Sequence, residues 1–284
     1  MLHMNFAERV VIETASQPWQ ASPMSGVWRK PLARAQAEAG HATSIVRYDA
    51  GSRFRAHTHP RGEEILVLEG VFSDEDGDYP AGSYLRNPAG SQHSPFSVGG
   101  CTLLVKLHQF QDGDVDSVRI LPVETSSSAH LATRALASHH PHAAVIGGAA
   151  ISPAVTFRNA SAVNIIATTK VAANGTASQA EASVFVDQAQ PWQPGHGGLM
   201  VLPLHSFATE HTALVFWPAG EHFLMHRHVG GEEIFVISGE FADEHGRYPA
   251  GTWLRSPHMS LHQPFVEQDT LIWVKTGHLA LDLG

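Results

Sequence analysis

Residues 51–96 of this 284-residue chain are repeated at residues 220–265, and this duplication constrains the fold more than any other feature. The two stretches align without a gap at an offset of 220 − 51 = 169 residues, with 25 of 46 positions identical. The match runs through Gly51/Gly220, Phe54/Phe223, His57/His226, His59/His228, Gly62/Gly231, Glu63/Glu232, Glu64/Glu233, Gly70/Gly239, Asp74/Asp243, Arg86/Arg255 and His93/His262. Such a chain folds as two copies of one unit. The length agrees, because domains average about 100–200 residues.

Each copy reads as β-structure. Short apolar or β-branched runs at 45–48, 65–68, 71–72, 83–86 and 102–107 are separated by Gly, Pro, Asp and Asn, and the second copy repeats them at 214–217, 234–237, 252–255 and 271–275. Asp76-Gly77 and Tyr79-Pro80-Ala81-Gly82 are turn chemistry. Many short strands at regular spacing predict an all-β sandwich or barrel. The predicted division is a first unit over 1–112, a linker over 113–150 with a short helix at 128–138, and a second unit over 151–284. Pro18-Trp19 and Gly26-Val27-Trp28, echoed by Pro191-Trp192 and Gly198-Leu199, are read as leading strands. Residues 151–186 are expected to add edge strands to the second unit.

The 20 histidines pose the question of chemistry, because histidine is the commonest metal ligand. On a strand, alternate side chains share a face, so His57 and His59 point the same way. Pro60-Arg61-Gly62 makes a bend, Glu63 returns on the next strand and His93 arrives after the Asn87-Pro88 turn. His226, His228, Glu232 and His262 repeat the set. Three imidazoles and a carboxylate suit Fe(II), Mn(II), Ni(II), Cu(II) or Zn(II) rather than Ca(II) or Mg(II). Glu64 and Glu233 rival Glu63 and Glu232 for the carboxylate role. Spacing favours Glu63 and Glu232, but the bend makes strand parity a poor guide.

Other features are read more plainly. Cys101 lies in an apolar run as a small buried residue. Tyr84/Trp253 and Arg86/Arg255 are assigned to packing and an ion pair, and His222, His245 and His258 to solvated surface. The cluster His139, His140 and His142 is assigned to an exposed loop, with an auxiliary metal site as the rival reading. A net charge of −9 opposes nonspecific nucleic-acid binding. No apolar run of about 20 residues is present to span a bilayer. These features lead to the expectation of a cytoplasmic protein, able to form a homodimer and to bind a small molecule.

Gly51, His57, His59, Glu63 and Gly70 match the first motif of the cupin superfamily, and His93 supplies the second. The strings around 57–74 and 87–96 resemble the ChrR-like cupin family, over about residues 5–110 and 190–278. That resemblance implies two tandem jelly-roll β-barrels, a bicupin, with up to one Fe(II) or Zn(II) in each. Two activities accompany it. One is the zinc-binding cupin half of anti-sigma factors, but this chain has no Cys-x-x-Cys and starts almost directly with the barrel, which leaves a zinc-binding sensor as the alternative. The other is non-haem Fe(II) dioxygenases that cleave carbon–carbon bonds in diketones or hydroxyaryl ketones, and this reading is preferred. In it Phe54 and Phe223 would wall the pocket.

Overall fold

The computed structural model describes residues 1–36, 40–124, 163–165 and 192–279. Among them the only helical element is one turn, Thr14–Ser16. No helix there is long and apolar enough to cross a membrane.

Two antiparallel sheets dominate, and they correspond strand for strand. The first runs in the order Val118–Ile120, Tyr84–Asn87, Glu63–Asp74, Cys101–Leu107, Ala42–Tyr48, Val27–Arg34 and Gln20–Ala21. The second runs Val10–Glu13, Thr252–Ser256, Glu232–Ser238, Thr270–Thr276, Glu210–Trp217, Met200–Phe207 and Gln193–Pro194.

Two short strands pair with edges that chain order did not suggest. Val10–Glu13, at the start of the first unit by number, pairs with Thr252–Ser256 of the second barrel. Val118–Ile120, inside the stretch read as linker, pairs with Tyr84–Asn87 of the first. Each of these short strands covers hydrogen-bonding groups that an open sheet edge would expose. Val163–Ile165 pairs with Pro122–Glu124 rather than with the second large sheet. The expected helix at 128–138 and the cluster His139, His140 and His142 lie outside the described residues.

The continuous apolar run Ile65-Leu66-Val67-Leu68 follows from burial on both faces. Ile65 and Val67 pack inside the first barrel with Tyr48, Phe72 and Leu103. Leu66 and Leu68 face the second barrel, in a core shared with Val10, Ile12, Tyr84, Phe235, Ile237, Trp253 and Trp273. Ile234 and Val236 fill the second barrel's own interior. Alternation along this run therefore sorts Ile65 and Val67 inward and Leu66 and Leu68 to the junction.

Charged groups sit in that junction as well. Glu64, 3% exposed, receives Lys275 Nζ at 2.6 Å and Arg86 Nη1 at 3.2 Å. Glu233 mirrors it, receiving Lys106 and lying 3.3 Å from His278. Tyr84 and Trp253 are fully buried there, and Arg86 is buried with three carboxylate partners, Glu64, Glu210 and Asp114. Arg255 instead donates to the backbone oxygens of His3 and Asn5. Cys101 is a buried free thiol on its strand.

Candidate metal centres

The bend between His59 and Glu63 depends on Gly62. Its φ is +76°, and a Cβ there would overlap the ring of Phe110. The turn returns the chain so that Glu63 enters the barrel beside His59. Across from it the strand Gln92–His93 pairs with His57–Thr58, with His93 directly opposite His57. In the second copy His262 stands opposite His226 in the same way.

In the first barrel the structure brings His57, His59, Glu63 and His93 together, with one donor atom from each inside a 4.8 Å cluster. Ring centroids are 4.8–5.0 Å apart. Glu63 Oε2 lies 3.4 Å from both His59 Nε2 and His93 Nε2. Two donors bound to one ion at about 2.1 Å in a tetrahedral arrangement stand roughly 3.4 Å apart. The outer ring nitrogens are tied down: His57 Nδ1 lies 3.0 Å from the Arg55 carbonyl oxygen and His93 Nδ1 3.3 Å from Asp74 Oδ2. Each tie holds a ring so that its Nε2 can face the centre. His59 Nε2 and His93 Nε2 are buried without a hydrogen-bond partner. Orphaned inward nitrogens beside a carboxylate are what a divalent metal would satisfy, so the cluster could hold one.

Electrostatics differ between the ligands. Burial lowers the His59 pKa to about 4, so its lone pair is available at neutral pH. Burial also opposes charge on His93, but its hydrogen bond to Asp74 and the Glu63 charge outweigh that and raise its pKa. Asn87 donates to Glu63 Oε2 at 2.9 Å, and Arg119 donates to Asn87 Oδ1 at 2.6 Å. Asp74 and Asn87 were not singled out as site residues by sequence reading. The Asp74/Asp243 identity in the repeat was the available signal for one of them. For Asn87, which meets Ser256 in the second copy, there was none.

The second barrel assembles a related cluster. Donor atoms of His226, His228 and His262 fall within 4.8 Å of one another, and Glu232 lies outside that set. Glu232 Oε2 is nonetheless 3.6 Å from His228 Nε2 and 3.7 Å from His262 Nε2. His228 Nε2 and His262 Nε2 approach to 2.9 Å. Burial pushes the Glu232 carboxyl up to about 7 and, with the neighbouring histidines, His228 down to about 3. Register sets Ser256 beside Glu232 where Asn87 stands beside Glu63. Glu64 and Glu233, the rival carboxylates, face the junction, and the physical reason is strand parity.

A cavity of about 210 Å3 adjoins the first cluster, lined by His57, His59 and Glu63 together with Arg29, Arg34, Tyr48, Phe54, Phe72, Leu103 and His108. Burial and the Glu63 charge raise the Tyr48 pKa well above its ordinary value, so the phenol keeps its proton. By sheet register the second barrel has Val201 for Arg29, Ser206 for Arg34 and Trp217 for Tyr48. His222 and His245 are exposed, and His258 accepts the Gly230 N–H at 2.8 Å.

Comparison with solved structures finds the same architecture. A Nostoc punctiforme protein provisionally named a dioxygenase is 14% identical, with a TM-score of 0.58, over 98% of this chain and 85% of its own. The Escherichia coli pirin YhhW, solved with nickel(II), is 12% identical, with a TM-score of 0.51, over 96% and 100%. A deletion mutant of Bacillus subtilis oxalate decarboxylase OxdC is 13% identical, with a TM-score of 0.52, over 97% and 78%. At these identities the likeness is one of fold. No curated protein sequence matches the chain. The ChrR cupin-like domain model matches twice, over residues 7–111 and 180–280, and with both barrels and both histidine clusters in place the chain belongs to that family as a tandem, two-domain member.

Proposed function

We propose that this protein is a metal-dependent dioxygenase whose first barrel cleaves a carbon–carbon bond in a small diketone or hydroxyaryl ketone. The observation that carries this reading is the cavity beside the first histidine cluster, which joins donor atoms to a space of substrate size. His57, His59, Glu63 and His93 would hold the ion, and Fe(II) there would supply Lewis acidity and oxygen chemistry.

The chain's own residues do the rest. Asn87 and Asp74 keep Glu63 and His93 in their orientations. Phe54, Phe72 and Leu103 offer apolar walls for the substrate's carbon skeleton and exclude water. An enolised diketone is an anion, and Arg29 and Arg34 place positive charge on the cavity wall to favour that form. The protonated Tyr48 can donate a hydrogen bond to an enolate oxygen. The Nostoc punctiforme protein's provisional name points in the same direction.

The second barrel supports a different reading for its own cluster. With Val201, Ser206 and Trp217 replacing the polar wall, it is a metal-holding structural site of the zinc type rather than a second catalytic one. Protein purified anaerobically without chelator is the starting material for the test. Oxygen uptake by the Fe(II) form is measured on a panel of β-diketones and hydroxyaryl ketones. Turnover should vanish in His57→Ala and persist in His226→Ala. An Fe(II) form inert on the whole panel, with zinc tightly held in both barrels, would overturn the proposal in favour of a zinc-binding sensor.

A further inference from the structure

A third cluster lies at the junction, away from both cupin sites. Asp114 and Asp116 follow the first barrel's Cys101–Leu107 strand, and His205 sits on the second barrel's Met200–Phe207 strand. One donor atom from each falls inside a 4.8 Å group. His205 Nε2 is 3.6 Å from Asp114 Oδ1 and 3.7 Å from Asp116 Oδ2. Those separations are too long for hydrogen bonds. They match the imidazole–carboxylate spacings of the two cupin clusters, which run from 3.4 to 3.7 Å.

Three further observations point to a cation. His205 is 7% exposed, and neither ring nitrogen has a hydrogen-bond partner. Leaving such groups buried and unsatisfied is costly, because they have given up hydrogen bonds to water. The charge count is also unbalanced. Among the described residues, three buried carboxylates, Asp114, Glu210 and Glu64, share two cations, Arg86 and Lys275. Finally, the fold does not need this set. At the mirror position of the junction, register puts Ala33 where His205 stands. There Arg255, the counterpart of Arg86, lies over the Phe6 ring and donates to the backbone oxygens of His3 and Asn5.

We propose that Asp114, Asp116 and His205 form a third metal site, which binds a divalent transition ion such as Zn(II) and staples the two barrels together. Two carboxylates and one imidazole are a mixed oxygen and nitrogen set suited to that class of ion. Asp114 uses its two oxygens differently: Oδ2 takes Arg86, and Oδ1 faces His205. Asp116, 22% exposed at its side chain, stands at the edge by which an ion can enter. This inference is independent of the activity proposed above.

The test uses the full chain carrying His57→Ala and His226→Ala, stripped with chelator and dialysed against excess zinc. Bound zinc is counted by mass spectrometry, and thermal unfolding is followed with and without zinc. The double variant should retain one zinc and unfold at a higher temperature with it. Adding Asp116→Asn or His205→Gln should abolish both effects. If the double variant folds poorly, the same additions in the wild-type background should lower zinc content by one equivalent. Zinc content and zinc-dependent stabilisation that are unchanged by either addition would overturn the site. So would a double variant that binds none, with His205 then serving as a protonated bridge between carboxylates.

Discussion

Replacing Glu64 and Glu63 separately, each by Gln, should break different properties of the molecule. Glu64 is fully enclosed at the junction, where burial opposes its charge but Lys275 and Arg86 prevail and hold its pKa down at about 2. Breaking a buried ion pair by removing one partner typically costs about 3–5 kcal/mol, because the remaining charges stay buried and unpaired. The lower end applies because Lys275 keeps Glu210 at 2.7 Å and Arg86 keeps Asp114. Glu64→Gln should therefore lower the unfolding temperature by about 6–12 °C, at about 2–4 °C per kcal/mol for a chain of this class, and leave metal in the first barrel intact. The folded pKa is depressed, so this stability is present above pH 4.5 and is lost as pH falls towards 2; the gap between wild type and variant should close over that window. Glu63→Gln should do the reverse, weakening metal retention with a small stability change. Thermal unfolding by circular dichroism and metal analysis on the same preparations decide the matter. Metal loss in Glu64→Gln without destabilisation would refute the parity argument that assigns the two carboxylates.

Asn87→Ala removes the amide that donates to Glu63, and should weaken first-barrel metal affinity about 10–100-fold while leaving the second barrel unchanged, as measured by competition with a chromophoric chelator. Gly62→Ala forces a Cβ into a positive-φ turn against Phe110; it should cost at least about 1 kcal/mol in denaturant unfolding and also reduce first-barrel metal, because the turn sets Glu63. Tyr48→Trp installs the second barrel's residue, and should cut oxygen uptake at least tenfold with metal content unchanged if the cavity holds substrate. Lys275→Met should destabilise the chain by about 3 kcal/mol or more, since it strips a cation from both Glu64 and Glu210, and calorimetry would show it.

The duplication, the all-β class and the histidine pairs were legible in the residues because they are local. A strand's two-residue period aims His57 and His59 to one side whatever surrounds them, and an offset of 169 residues is a property of the string. What escaped was everything set by packing between distant segments. Strand parity could not be carried across the Gly62 bend, so only the assembled sheet shows Glu63 inside the barrel and Glu64 against Lys275. The pairing of Val10–Glu13 with the second barrel and of Val118–Ile120 with the first was invisible, since a three- or four-residue strand carries no mark of the edge it will cover. The junction cluster of Asp114, Asp116 and His205 joins residues about ninety positions apart with no shared motif. Sequence determined which side chains could bind a metal; tertiary structure decided which of them meet, because a coordination shell is a matter of ångströms between elements that chain order leaves unrelated.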